Sequence, residues 1–233
     1  MKSLVYVAIA AVAAGAGFGI YRYGIAPQLA PQTTPQQMAA QPGGAPAAAG
    51  ASGGEAESAI PPVPTTLPDF SLQDRDGQLR SIHSWPGKSM IVNFWATWCA
   101  PCRREIPLLK DIQHKHAGEG FQVVGVAVDF RDDVLKYAKD IGMDYPILIG
   151  EQDGLEAVTK FGMGSLGFPF TVFTDTQGRI VVTHLGELTK PQSEILLAVV
   201  GQVNRGELTP AAAQVVATKQ LQALESPATA PAT

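Results

Sequence analysis

The chain has 233 residues, a formal net charge of −4, two cysteines, 18 prolines and 24 glycines. The negative balance, with no basic patch, excludes a polyanion-binding protein, so no nucleic acid is expected as a partner. Two cysteines exclude a multi-disulfide scaffold and any four-cysteine zinc or iron–sulfur site, and neither a metal nor another cofactor is expected.

After Met1 and Lys2, residues 3–21 run without a charge until Arg22. As a helix at ~1.5 Å per residue, this run comes close to the ~30 Å hydrocarbon core of a bilayer. Residues 1–25 therefore read as a transmembrane signal anchor, its length favouring that over a cleaved signal peptide. Tyr21 and Tyr23 beside Arg22 suit the membrane–water interface. Either reading exports the rest of the chain, and the anchor makes the membrane itself a partner. Residues 26–66 contain eight prolines, two charges and no aromatic residue. Such a segment cannot bury enough apolar surface to offset its ordering entropy, and a disordered tether is expected.

All thirteen aromatic residues beyond the first 25 lie between Phe70 and Phe173. Only one core of large side chains can be built, so a single domain of about 140 residues, 67–206, is expected. Pro68 to Ile82 reads as a β-hairpin, with Asp74-Arg75-Asp76-Gly77 as its turn. Met90 to Ala96 is a short apolar strand, followed by a helical pattern from Ala100 to about His116. Phe121 to Val128 is β-branched and mostly apolar, as a strand covered on both faces would be. A helix over Asp132–Ile141, a strand over Tyr145–Ile149 and a helix over Asp153–Phe161 come next. Strands at Phe170–Thr174 and Ile180–His184 flank the turn Asp175-Thr176-Gln177-Gly178, and a helix over Ser193–Asn204 closes the pattern. This alternation indicates an α/β fold with a mixed central sheet flanked by helices. Residues 207–233 lack aromatics; Thr209-Pro210 resembles a helix start, but the segment has little to bury, so a marginal helix fraying into a disordered tail is expected.

The informative stretch is Trp98-Cys99-Ala100-Pro101-Cys102-Arg103-Arg104-Glu105, directly after a buried strand. A cysteine at the helix start meets unpaired backbone amides and the positive end of the helix dipole, both of which favour its thiolate. Cys102 is three residues on, near enough for the two sulfurs to bond. Cys99 is then the exposed nucleophile and Cys102 the shielded resolving thiol, with Pro101 stiffening the first turn. Two other readings stand beside this one. A structural disulfide would close only a four-residue segment and stabilise little. A metal site would need partners, and His114 and His116 lie too far along the helix.

With these residues in view, the chain resembles the membrane-anchored, extracytoplasmic thioredoxin-like reductases of the TlpA/ResA group, which includes the cytochrome c maturation thioredoxins. The likeness covers about Pro68 to Asn204. Its motifs are Asn93 to Cys102 (NFWATWCAPC), Gly167-Phe168-Pro169 and Asp175 to Ile180. The resemblance implies a thioredoxin-like fold with an N-terminal β-hairpin and a central insertion at 130–164. It implies a redox-active Cys99–Cys102 pair, and a cis peptide at Pro169 whose loop presents backbone to an extended client. Thioredoxin carries a buried Asp where this chain has Asn93. Asn cannot take a proton from Cys102, and Glu105 matches the acidic residue that the ResA-like branch uses for proton exchange. That role needs a pKa raised by partial burial. Trp98, Ala100, Pro101 and Phe168 are expected to contact the client; Trp95 is either core or surface. Arg103 and Arg104 read as solvated charges, and His83 and His184 as incidental. Pro107 should kink its helix.

The implied function is a thiol:disulfide interchange protein, a disulfide reductase outside the cytoplasm. Its client would be a protein with a disulfide or thiol pair, such as apocytochrome c or a copper-site assembly protein. Electrons would come from a DsbD- or CcdA-like membrane donor. A disulfide oxidase and a Cu(I)-binding chaperone are the alternatives, and a peroxidase is disfavoured by the closely spaced cysteines.

Overall fold

The structure, a computed structural model, describes residues 64–162 and 167–225. The expected anchor, most of the expected tether and the last eight residues lie outside them. Among the described residues no helix is long and apolar enough to cross a membrane.

The elements in chain order are β1 (Ser71–Gln73), β2 (Leu79–Ser81), β3 (Ser89–Trp95), α1 (Ala100–His116), β4 (Phe121–Val128), α2 (Arg131–Asp140), β5 (Ile147–Gly150), α3 (Gln152–Thr159), β6 (Phe170–Thr174), β7 (Ile180–Leu185), α4 (Lys190–Asn204) and α5 (Pro210–Glu225). The strands form one sheet in the order β2-β1-β5-β4-β3-β6-β7. β3, β4 and β5 are parallel, while β6, β7 and the β1–β2 hairpin run antiparallel to their neighbours. The mixed sheet, leading hairpin and central α2–β5–α3 insertion agree with the sequence. Boundaries move slightly: β5 begins after Pro146, which has no N–H to give a ladder. α1 runs on through Pro107.

Strand periodicity sorts the core into two layers. On one face of β3, Met90, Val92 and Phe94 meet Phe70, Phe161 and Phe170. Phe94 and Phe170 stack with ring centroids 4.4 Å apart, and Phe161 meets Phe94 edge-on at 5.1 Å. On the other, Ile91 and Trp95 meet α1, α2, α4 and α5 through Ile106, Leu109, Val134, Leu196 and Ala213. Asn93 lies between Ile91 and Trp95 and so shares their face, under α1. Trp95 is fully buried, a core residue.

The C-terminal segment corrects the sequence reading. α5 is a 16-residue helix held to the core. Ala213 and Ala217 are fully buried, and Leu208, Val216 and Leu221 pack beside them. Thr209 Oγ1 accepts from the Ala212 amide, the start predicted from the sequence. The small alanine side chains that suggested too little to bury let the helix axis approach its neighbours closely. The packed part of the chain therefore extends past residue 206 to Leu221, and the helix runs on to Glu225.

Candidate active site

The site is built where β3 ends and α1 begins. Cys99 is the N-cap of α1, in an extended conformation, and its sulfur accepts from the Cys102 amide at 3.3 Å. Pro101 occupies the first turn, where an amide would lack a partner anyway. Cys99 and Cys102 are joined by a disulfide with their Cα atoms 5.3 Å apart. The expectation of an exposed Cys99 needs correction: its relative exposure is 5%, against 0% for Cys102. The ranking survives, since only Cys99 offers surface to an attacking group.

The Phe168–Pro169 peptide is cis. Pro169 is buried and its carbonyl accepts from the Gly186 amide at 2.9 Å. Phe168 is half-buried and packs at the margin of both core layers. Its ring centroid lies 6.0 Å from that of Trp98, which is 69% exposed. Ala100 is exposed and Pro101 half-exposed. The cysteines are thus bordered by apolar surface, with an aromatic pair linking the Trp98 loop to the Pro169 loop.

Glu105 follows Cys102 by three residues and turns the same buried side of α1 inward. It is 1% exposed. Asn93 Nδ2 donates to Glu105 Oε1 at 2.7 Å and to Thr171 Oγ1 at 3.0 Å; the Leu188 amide donates to Glu105 Oε2 at 2.6 Å. Asn93 and Thr171 are register partners on β3 and β6, which places both side chains on the α1 face. Burial pushes the Glu105 carboxyl up to about 7; the Leu188 and Asn93 donors oppose it, and the charge of Glu187 adds to it. At neutral pH the group divides between its two protonation states.

Three buried side-chain polar atoms lack a hydrogen-bond partner among the described residues: Asn93 Oδ1, on the residue that donates to Glu105, Trp95 Nε1 and the Tyr145 hydroxyl. Burial, reinforced by the charge of Glu105, raises the Tyr145 pKa well above that of an ordinary tyrosine. Gly125, opposite Asn93 on β4, leaves room for this layer: a Cβ there would lie 3.0 Å from Trp95 Nε1 and 3.1 Å from the Tyr145 ring.

Both arginines are exposed, as the sequence reading has them, but each has a partner that the sequence does not show. The Arg103 guanidinium sits 5.3 Å from the Tyr137 ring centroid, and Arg104 forms a two-pronged ion pair with Glu187. Sequence reasoning also missed Asp129 and Phe130. Asp129 Oδ2 accepts from the Thr97 amide at 2.9 Å and from its hydroxyl, while Oδ1 accepts from the Phe130 amide. One carboxylate thereby ties the loop carrying Trp98 to the loop carrying Phe130, itself 61% exposed. An Asp directly after a buried strand was the available signal, but its partner 32 residues upstream was not legible.

Residues 63–183, just over half the chain, match the model of the AhpC/TSA family. The chain belongs to that family. It is 33% identical over 129 residues to the thiol-disulfide oxidoreductase ResA of Geobacillus thermodenitrificans, spanning 55% of this chain and 72% of that protein. To the thioredoxin-like protein YneN of Bacillus subtilis it is 34% identical over 133 residues, spanning 54% and 74%. A crystal structure of a secreted thiol-disulfide isomerase from Corynebacterium glutamicum superposes with a TM-score of 0.51 at 26% identity, covering 59% of this chain and 85% of that one. With the Cys99–Cys102 pair in place, the protein is a thiol-disulfide oxidoreductase of thioredoxin-like fold.

Proposed function

We propose that the protein is a disulfide reductase acting on client proteins outside the cytoplasm, anchored by its N-terminal apolar run. The observation that supports this reading is the Cys99–Cys102 pair at the start of α1, with the buried Glu105 carboxyl held one helical turn from Cys102, where it can exchange a proton with it.

In the reduced chain, the Cys99 thiolate at the helix start attacks one sulfur of a client disulfide. A bond forms between Cys99 and the client, the client S–S bond breaks, and its second sulfur leaves as a thiolate. Cys102 then gives its proton to Glu105 and attacks the Cys99 sulfur. The Cys99–Cys102 bond forms, and the other client sulfur leaves with its electron pair. The client has gained two electrons and the chain has lost two. A membrane dithiol donor of the DsbD or CcdA kind restores the dithiol. Trp98, Ala100, Pro101 and Phe168 border the sulfurs and supply the client surface, while the Pro169 loop lies beside them to receive client backbone. Apocytochrome c and copper-site assembly proteins are the client classes that the family resemblance favours.

Two measurements on the full-length chain test this reading. Cys102→Ser expressed in the native membrane should accumulate mixed disulfides through Cys99, and recovering none rejects it. The reduction potential should lie near thioredoxin's ~−270 mV; a value near ~−120 mV makes the protein an oxidase instead.

A further inference from the structure

Glu105 does not hold its position alone. Its Oε2 depends on the amide of Leu188, in the loop between β7 and α4. That loop is pinned at three consecutive residues. The Gly186 amide bonds the Pro169 carbonyl, the Glu187 carboxylate takes the Arg104 side chain, and the Leu188 amide reaches Glu105. Arg104 and Glu105 are adjacent in sequence, as are Glu187 and Leu188. The outer pair is therefore a clamp one residue removed from the inner one, closing α1 onto the loop. Gly186 has φ +86°, a conformation that favours glycine, so the chain can reverse there and bring the next two residues back over α1.

We propose that Arg104 and Glu187 are the positioning pair of the active site: their ion pair seats the Leu188 amide on Glu105 and so sets the protonation state from which Cys102 is served. The proposal rests on Glu105 being the proton-exchanging group. An exposed ion pair contributes little to stability, and this one has side-chain exposures of 60% and 31%. Its effect is geometric and local. Arg104 also neutralises Glu187, whose charge otherwise raises the Glu105 pKa. Removing Arg104 acts twice in one direction: it uncovers a like charge near Glu105 and frees the amide that favours the carboxylate.

The charged and titratable groups facing Glu105 come from several elements. From α1 there is Arg104, and from the β7–α4 loop Glu187. From β7 there is His184, whose ring nitrogen lies 3.4 Å from the Glu187 carbonyl and whose pKa burial lowers, favouring the neutral ring. The Tyr145 hydroxyl, ahead of β5, stays protonated in the same range. Asn93 and Thr171, from β3 and β6, carry no charge. Glu187 and its partner are thus the surroundings through which the pH response of Glu105 can be tuned.

The test tracks the Leu188 amide resonance against pH in the oxidised, full-length, ¹⁵N-labelled chain. The wild-type signal should titrate with a midpoint near the value of about 7 held by Glu105, and Glu105→Gln should abolish that titration. Arg104→Gln should move the midpoint up by ~0.5–1 pH, cutting the ionised fraction at pH 7 by about two- to fivefold, whereas Arg104→Lys should stay within ~0.3 pH of wild type. An unmoved midpoint in Arg104→Gln overturns the proposal, as does an equal rise in Arg104→Lys. Alkylation of the reduced chain against pH separates the two ideas. If Glu105→Gln leaves that profile unchanged, Glu105 is not the proton-exchanging group, whatever Arg104 does to its midpoint.

Discussion

Asn93 Nδ2 lies 2.7 Å from Glu105 Oε1, joining the centre of the sheet to the underside of α1 with both residues shut away from solvent. This bond orients the carboxyl, while the burial that comes with it keeps the carboxyl from ionising at the pH of an ordinary glutamate. Its consequences can be read in stability as well as in reactivity.

A carboxyl with a raised folded-state pKa takes up protons on folding. The penalty of ionising Glu105 is absent below its ordinary value of 4.5 and complete above about 7. Wild-type stability should therefore fall across that interval, and Glu105→Gln should lose this part of the fall. Relative to the variant, the wild type should weaken by up to ~3 kcal/mol between pH 4 and pH 8. Urea unfolding of the two oxidised proteins at several pH values checks this, and parallel stability curves would refute it.

Asn93→Asp places a second carboxyl within hydrogen-bond distance of Glu105. Two such groups cannot both ionise cheaply, so the pair should titrate in two steps, the upper one above the wild-type midpoint. The pH profile of Cys99 alkylation should shift to higher pH accordingly. A profile that overlays the wild type would mean that Asn93 does not govern the proton traffic.

Trp98, 69% exposed, is proposed above as a client contact, and the fold does not need it. Trp98→Ala should leave unfolding within ~0.5 kcal/mol of wild type. It should slow reduction of a protein disulfide by about threefold or more, with a smaller effect on a small-molecule disulfide such as oxidised glutathione. Equal slowing of both would assign Trp98 to the chemistry of the cysteines rather than to recognition.

Much of the fold was legible because its signals are local. Phe121–Val128 is apolar apart from Gln122 and became a strand covered on both faces; the Asp74–Gly77 turn and the Cys99 helix start declared themselves within four residues. The pair Cys99 and Cys102 was legible from its spacing at a helix start, whereas the cis peptide at Pro169 came from motif resemblance. The features that escaped depend on contacts far apart in sequence. Arg104 meets Glu187 across 83 residues, and Thr97 meets Asp129 across 32. No spacing rule links such residues, so the arginine looked like a solvated charge. The helix at Pro210–Glu225 was expected, but its packing escaped for another reason: counting large side chains overlooks burial achieved by alanine.

That last point is testable directly. Ala213 is fully buried where α5 meets the core, so Ala213→Leu should overfill the contact and cost ~1–3 kcal/mol, whereas the same change at Ala211, which is exposed, should cost less than ~0.5 kcal/mol. Chemical denaturation of both variants decides it; equal tolerance would show that the helix is not part of the folded unit.

The complete burial of Cys102 has a kinetic corollary. A client attached to Cys99 can be cut loose through Cys102 without any outside thiol entering the core. Release through that route is a first-order event, with a rate that does not change with the concentration of small thiols around it. On the roles proposed above for Cys102 and Glu105, the lifetime of the covalent complex becomes an internal timer, wound by the pH at Glu105 and by the grip of the loop that holds it.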